Sequence, residues 1–261
     1  MEKQRYTDRL NVYQSSTYWV SKTKLKYYLR SIKSLLLNKV YPDYLFVATR
    51  IKGYTMASWK TKIVPIHVHE YDEFLKYKNL DEVNKAVFLS SDLPHHIETK
   101  KFDINKTKYY KEINTYLKWF KKKYDVEKVV VCEHPNAYID KVQKFWKYGA
   151  KKNKTAKEVA ESKYVISMGS GATLYAIMAK KPLVTLRASE VEKHDLVDRC
   201  TSYENRLKCS PALVEGSKIL YGGSLSDLSL YENVFHSCIK QRGTPDVNSF
   251  EFMYDFLEEE L

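Results

Sequence analysis

The sequence predicts an α/β protein: Rossmann-like parallel sheets with helices on both faces. Two observations predict it. From about residue 84 onward, strand-like apolar runs alternate with amphipathic helical runs, the pattern of a parallel sheet covered on both sides. Within that region SKYVISMGSGATLYAIMAKKPLVTL, Ser162 to Leu186, reads as strand (Tyr164–Ser167), Gly-Ser-Gly turn, helix (Thr173–Lys180) and second strand (Leu183–Leu186). A small-residue loop at the carboxyl end of such a strand is where this architecture takes ligands. The loop opens a helix, whose first N–H groups and dipole favour phosphate. Ser170 and Thr173 each offer a hydroxyl. The first functional expectation is therefore a nucleotide-phosphate site in the C-terminal half.

The elements follow in order. Residues 1–20 are polar and Tyr-rich, without a period. Residues 22–39 place Leu25, Tyr28, Leu29, Ile32, Leu35 and Leu36 at helical spacing opposite a basic face, the pattern of a surface helix. YPDYLFVAT reads as a strand after a Pro-Asp break, and Ile63–Val68 as another, followed by a turn or short helix. Polar residues 77–84 mark a domain junction. KAVFLS is a strand. Residues 107–124 form an amphipathic helix on Tyr110, Ile113, Leu117 and Phe120. VEKVVVCEHP is a buried strand ending in a loop, and KTAKEVAESK a helix. Residues 187–230 are mixed, with loops around Gly216, Gly222 and Gly223. SFEFMYDFLEEEL closes the chain as an acidic amphipathic helix.

The chain has 261 residues, enough for one large or two small domains. Its net charge of +12 points to an anionic partner: a nucleotide, an acidic glycan, a nucleic acid or a membrane surface. Solvated Lys faces explain the same number equally well. Cys132, Cys200, Cys209 and Cys238 lack the spacing of a zinc ribbon or redox dithiol. Cys132 reads as a buried inert thiol, and Cys200 with Cys209 as a conceivable pair. A reducing cytosol is the default, so a cytoplasmic location is expected. No signal peptide and no run of about 18 apolar residues stands out.

Three polar loops carry the candidate chemistry. Glu133-His134-Pro135 follows a strand, where a histidine can donate to phosphate or a base edge and Pro135 fixes the turn. Gly169, Ser170, Gly171 and Thr173 form the second loop. Ser90-Ser91-Asp92-Leu93-Pro94-His95-His96 follows KAVFL and offers Asp92 as a general base, with His95 or His96 as phosphate or acceptor contacts. A sequential His pair is a weak metal signal. His67 and His69, beside Glu70 and Asp72, leave a metal site and a cleft or surface position both open. The chain has no Walker loop, no complete G-x-G-x-x-G and no G-x-S-x-G, which speaks against Walker-type NTP hydrolysis, dinucleotide redox and esterase chemistry.

KAVFLSSDLPHH, YYKEINTYLKWFKKKY, VVVCEHPNAYID, KTAKEVAESKYVISMGSGATLYAIMAKKPLVTL and YENVFHSCIKQRGTPDVNSFEFMYDFL occur in the order found in surface-polysaccharide glycosyltransferases of the GT-B architecture. The chain resembles that family over roughly residues 60–261, most strongly in the strand-EHP loop and the S-x-x-T helix start followed by Lys-Lys-Pro. The resemblance implies residues 1–80 as a small or partial acceptor-side Rossmann-like domain. It implies 81–261 as the nucleotide-sugar-binding domain with its C-terminal helix. Glu133, His134, Pro135, Gly169, Ser170, Gly171 and Thr173 would bind the donor, of UDP, GDP or CMP type. The implied reaction is transfer of the sugar to a glycan hydroxyl, with Asp92 as base and no cofactor or catalytic metal. The short N-terminal part departs from the family: the chain is a minimal enzyme or one domain of a longer polypeptide. Relatives carry a carboxylate at the place of Ser90, a second departure. A basic surface also suits peripheral contact with anionic lipid. Two further readings stand beside this one: a nucleotide-sugar epimerase on the same fold, and a basic module for nucleic acid or anionic glycan. The last lacks any recognition helix, zinc finger or RNP motif, so no nucleic acid is expected.

Overall fold

A computed structural model describes residues 41–48, 57–95, 99, 101–194, 196 and 198–260. The helix expected at 22–39 and the contact expected at His96 lie outside the described residues. The chain divides into two compact units: one ends at Val68 and resumes at Lys240, the other spans His69–Ile239. A junction near residue 80 was expected; the divisions fall at 68/69 and 239/240 instead. The reason is local. Helix α1 (His69–Leu75) brings Tyr71 and Phe74 into the larger unit's interior, and the closing helix belongs to the smaller unit.

The smaller unit contains a two-stranded parallel sheet, β1 (Tyr44–Val47) and β2 (Lys62–Pro65). Its closing helix, Ser249–Glu260, sets the Phe256 ring edge-on to Tyr44 and Phe46 at 5.5 and 5.7 Å. The buried His67 ring places Nε2 2.8 Å from the Val247 carbonyl.

The larger unit is built on a seven-stranded sheet. Its strands are β3 (Val83–Leu89), β4 (Lys128–Cys132), β5 (Gly149–Lys151), β6 (Ser162–Ser167), β7 (Leu183–Ala188), β8 (Ala212–Glu215) and β9 (Lys218–Gly222). They lie in the order β5-β4-β3-β6-β7-β8-β9, parallel except for β9. Counted from β3, the six parallel strands run 3-2-1-4-5-6, the order of the Rossmann fold. The chain winds from β3 toward β5, then crosses back to β6 and continues toward β8. Because such crossovers are right-handed, the reversal puts helices on both faces.

Side-chain alternation then divides the core. Ala86, Phe88, Val129, Val131, Ile166, Leu186 and Val214 face helix α2 (Lys106–Lys123). That helix buries Tyr109, Tyr110, Ile113, Tyr116, Leu117 and Phe120, the expected stripe widened by two tyrosines, Tyr109 and Tyr116. Asn105 caps it, accepting from the Lys108 amide at 3.0 Å. Glu112 on the same helix is fully buried. It accepts from Ser189 Oγ at 2.6 Å and the Gly216 amide at 2.8 Å, tying α2 to the segment after β7 and to the β8–β9 turn. The opposite face carries a short helix α3 (Thr155–Ala160) and α4 (Thr173–Met178), with Val159, Ala176 and Ile177 buried. Lys85 of β3 reaches across this face to Glu158 and Glu161 at 2.8 and 2.7 Å.

All four cysteines are free thiols, so the pairing considered for Cys200 with Cys209 does not form. Burial pushes Cys132 and Cys200 up to about 12 and Cys209 up to about 11. These are packing residues, not reactive thiolates. Among the described residues no helix is long and apolar enough to cross a membrane.

Candidate functional site

The strand order reverses between β3 and β6, and ligands of open α/β sheets bind in the crevice outside the carboxyl ends at such a point. Three loops leave that edge from adjacent strands: residues 90–95 after β3, 133–137 after β4 and 168–172 after β6. They contain the three candidate loops read from the sequence, apart from His96 and from Thr173, which opens helix α4.

The turn after β6 is braced from within. Gly169 has φ +84, a conformation that favours glycine. The Ser167 hydroxyl lies 2.6 Å from Thr173 Oγ1, which donates to the Ser170 carbonyl at 2.6 Å. Thr173 is fully buried. Its hydroxyl therefore holds the turn rather than reaching toward a ligand. The Ala172 amide donates to Ser170 Oγ at 3.3 Å and the Thr173 amide to the Ser170 carbonyl at 3.0 Å. Among the described residues the amides of Ser170 and Gly171 have no acceptor, and the Ser170 hydroxyl has its proton left to donate. Gly171 is exposed, and a Cβ built there meets nothing within 4 Å. Chain sterics do not require glycine at 171; an unobstructed backbone is what it provides.

The β4 loop presents His134 half-buried and Pro135 exposed. His134 Nδ1 accepts from the Asn136 amide at 3.2 Å. Glu133 is turned inward and is 2 % exposed. Its Oε1 accepts from the Trp146 indole, and among the described residues its Oε2 has no hydrogen-bond partner. Burial pushes the Glu133 carboxyl up from the usual range and the Asp92 charge adds to this, against the pull of the Ser90 hydroxyl and the Trp146 indole.

Asp92 is buried as well, with φ +44. Its amide donates to Ser90 Oγ at 3.2 Å, and its Oδ1 lies 2.8 Å from His95 Nδ1. The carboxylate offered by sequence as a free base is thus bonded to the histidine three residues on. Tyr110 of α2 completes the group, its hydroxyl 3.4 Å from His95 Nδ1. Burial, followed by the charges of Asp92 and Glu133, keeps the Tyr110 phenol protonated. Tyr110 and Trp146 were not among the expected site residues: Tyr110 read as part of the apolar stripe of its helix, and nothing in the sequence singled out Trp146.

Among the described residues no group of three His, Cys, Asp or Glu side chains is arranged to hold a metal ion. His67 is bonded to backbone carbonyls in the smaller unit, and His69 is exposed in the larger.

No protein-family model matches the chain, and no curated protein matches it. Solved structures similar to it include the Methanocaldococcus jannaschii UDP-GlcNAc 2-epimerase in complex with UDP-GlcNAc and UDP. The identity there is 15%, over 86% of this chain and 63% of the other, with a TM-score of 0.40. S. aureus MnaA with UDP is 12% identical over 77% of this chain and 56% of the other, at TM-score 0.37. A further structure of the M. jannaschii epimerase is 12% identical over 94% and 84%, also at 0.37. The chain thus spans less than two thirds of the length of the first two.

Proposed function

We propose that the larger unit binds a nucleotide sugar in the crevice between β3 and β6 and transfers its sugar to a glycan hydroxyl. One observation carries this: three loops bearing Asp92 and His95, His134, and the Ser170–Gly171 turn leave adjacent strands at the switch point. In this reading the Ser170 and Gly171 amides and the Ser170 hydroxyl hold the phosphates. These are donors aimed at the charge that grows as the nucleotide leaves. His134 contacts the nucleotide, and the Asp92–His95 group handles the proton of the acceptor.

A second reading rests on Glu133. A buried carboxyl with an open oxygen beside a base-bearing loop is also the kind of pair that moves a proton off and onto one carbon, as an epimerase does. Donor turnover with no acceptor present selects that reading.

The test is a thermal-shift screen of the full chain against UDP, GDP, CMP and their sugar conjugates. A ligand at about 100-fold its Kd raises the midpoint on the order of 5 °C. Gly171→Ala keeps the unliganded midpoint and loses most of that rise, since its Cβ stands where phosphate would approach. A flat screen with every nucleotide overturns the proposal.

A further inference from the structure

His95 differs from the other histidines of this edge. Its Nδ1 faces a buried carboxylate at 2.8 Å, and its side chain is still 24% exposed. The turn that makes this contact is fixed by its backbone. The His95 amide donates to the Asp92 carbonyl at 2.9 Å, and Pro94 lies between them. Asp92 adopts its left-handed conformation in the loop three residues past the end of β3. By contrast, Lys180 and Lys208, also at positive φ, follow helix ends, where that conformation is ordinary. Strain of this kind, overdetermined by surrounding bonds, collects at functional sites.

We propose that Asp92 and His95 form a carboxylate–imidazole dyad in which His95 is the proton acceptor of the crevice and Asp92 its positioning residue. The proposal rests on the transfer reading above. An ionised carboxylate can only accept, so the Nδ1 it faces carries the proton and Nε2 carries the lone pair. The Tyr110 hydroxyl lies 3.4 Å from the same Nδ1. Ser90, Glu133 and Tyr110 are the other polar groups around the dyad. In the reaction the acceptor oxygen bonds to the anomeric carbon while the bond from that carbon to the nucleotide phosphate breaks. The electron pair leaves on the phosphate oxygen. The acceptor proton passes to His95 Nε2, and the imidazolium, held by Asp92, returns it to water.

Long-range 1H–15N spectra of the full chain, with His95 assigned through His95→Gln, report the tautomer without any substrate. The expected result is the Nδ1–H form in the native chain. Asp92→Asn, whose side chain tolerates positive φ and can present an amide donor, shifts the population toward Nε2–H. An Nε2–H form in the native chain overturns the dyad, as does an Asp92→Asn spectrum identical to the native one. With a nucleotide sugar identified by the thermal screen, Asp92→Asn and His95→Gln each lower kcat by about 100-fold. KM and the nucleotide-induced shift stay within about 2-fold of native. Native kcat in His95→Gln overturns the proposal. A flat nucleotide screen alongside the Nδ1–H tautomer removes the transfer reading alone and leaves the pairing standing.

Discussion

At the residue scale, Glu133 decides how the crevice responds to pH. Its folded carboxyl titrates above its unfolded value. The folded state therefore holds more protons than the unfolded one between the two values. Stability from this group is fully present below the unfolded value and is lost as pH rises through the folded one. Glu133→Gln keeps an acceptor for the Trp146 indole and removes the buried charge. It should raise the melting temperature at pH 8 and leave it unchanged at pH 4, as a melting series at the two pH values checks. Glu133→Ala leaves that indole without its acceptor and should cost about 2 kcal/mol in urea unfolding. The roles of such residues were only half legible in the sequence. Asp92, His95 and Glu133 stood out as polar groups at strand ends, but their partners did not. Whether Asp92 is a free base or a bonded anion depends on a turn of positive φ and on a tyrosine fifteen positions past His95. Neither leaves a periodic signal.

At the element scale, strands buried on both faces announced themselves. Val129–Cys132 and Val165–Ser167 are continuous buried runs, and both were read correctly. Strand β5 was missed because it has three residues, one of them Lys151, at the edge of the sheet. The β8–β9 hairpin was read only as loops around glycines, since β9 is largely exposed. One contact between elements was also invisible: the buried Lys85 of β3 clamped between Glu158 and Glu161 of the α3 region. Burial alone would raise the Glu158 carboxyl, but the Lys151 and Lys85 ammonium groups outweigh it and hold it below the usual range. A depressed carboxyl contributes stability above its unfolded value and loses it as pH falls through the folded one. Glu158→Gln should cost about 3 kcal/mol at pH 7, because Lys85 keeps only one partner. The deficit should shrink as pH falls below about 4. Equal urea midpoints for the two proteins at pH 7 would show the clamp to be energetically idle.

At the scale of the whole molecule, the sheet order could not be read from one sequence, although the winding class could. Alternation of strand and helix gives a parallel sheet; the return from β5 across to β6 is what creates the crevice, and no residue pattern records it. The two units also differ in how much structure encloses their backbones. Strands β3, β4, β6 and β7 are central and covered on both faces, whereas β1 and β2 form a sheet of two. Hydrogen exchange should therefore be slowest in peptides from 83–89, 128–132 and 162–188, and faster in 44–47 and 250–260. Uniform protection along the chain would mean that the units open together. The smaller unit has one more property. Its strands are made before the sheet of seven, and its closing helix only afterwards. On the ribosome, β1 and β2 must wait while some 170 residues of the larger unit emerge and collapse, since domains tend to fold as units during synthesis. The order of translation is thus the reverse of the order of completion: the part begun first is finished last.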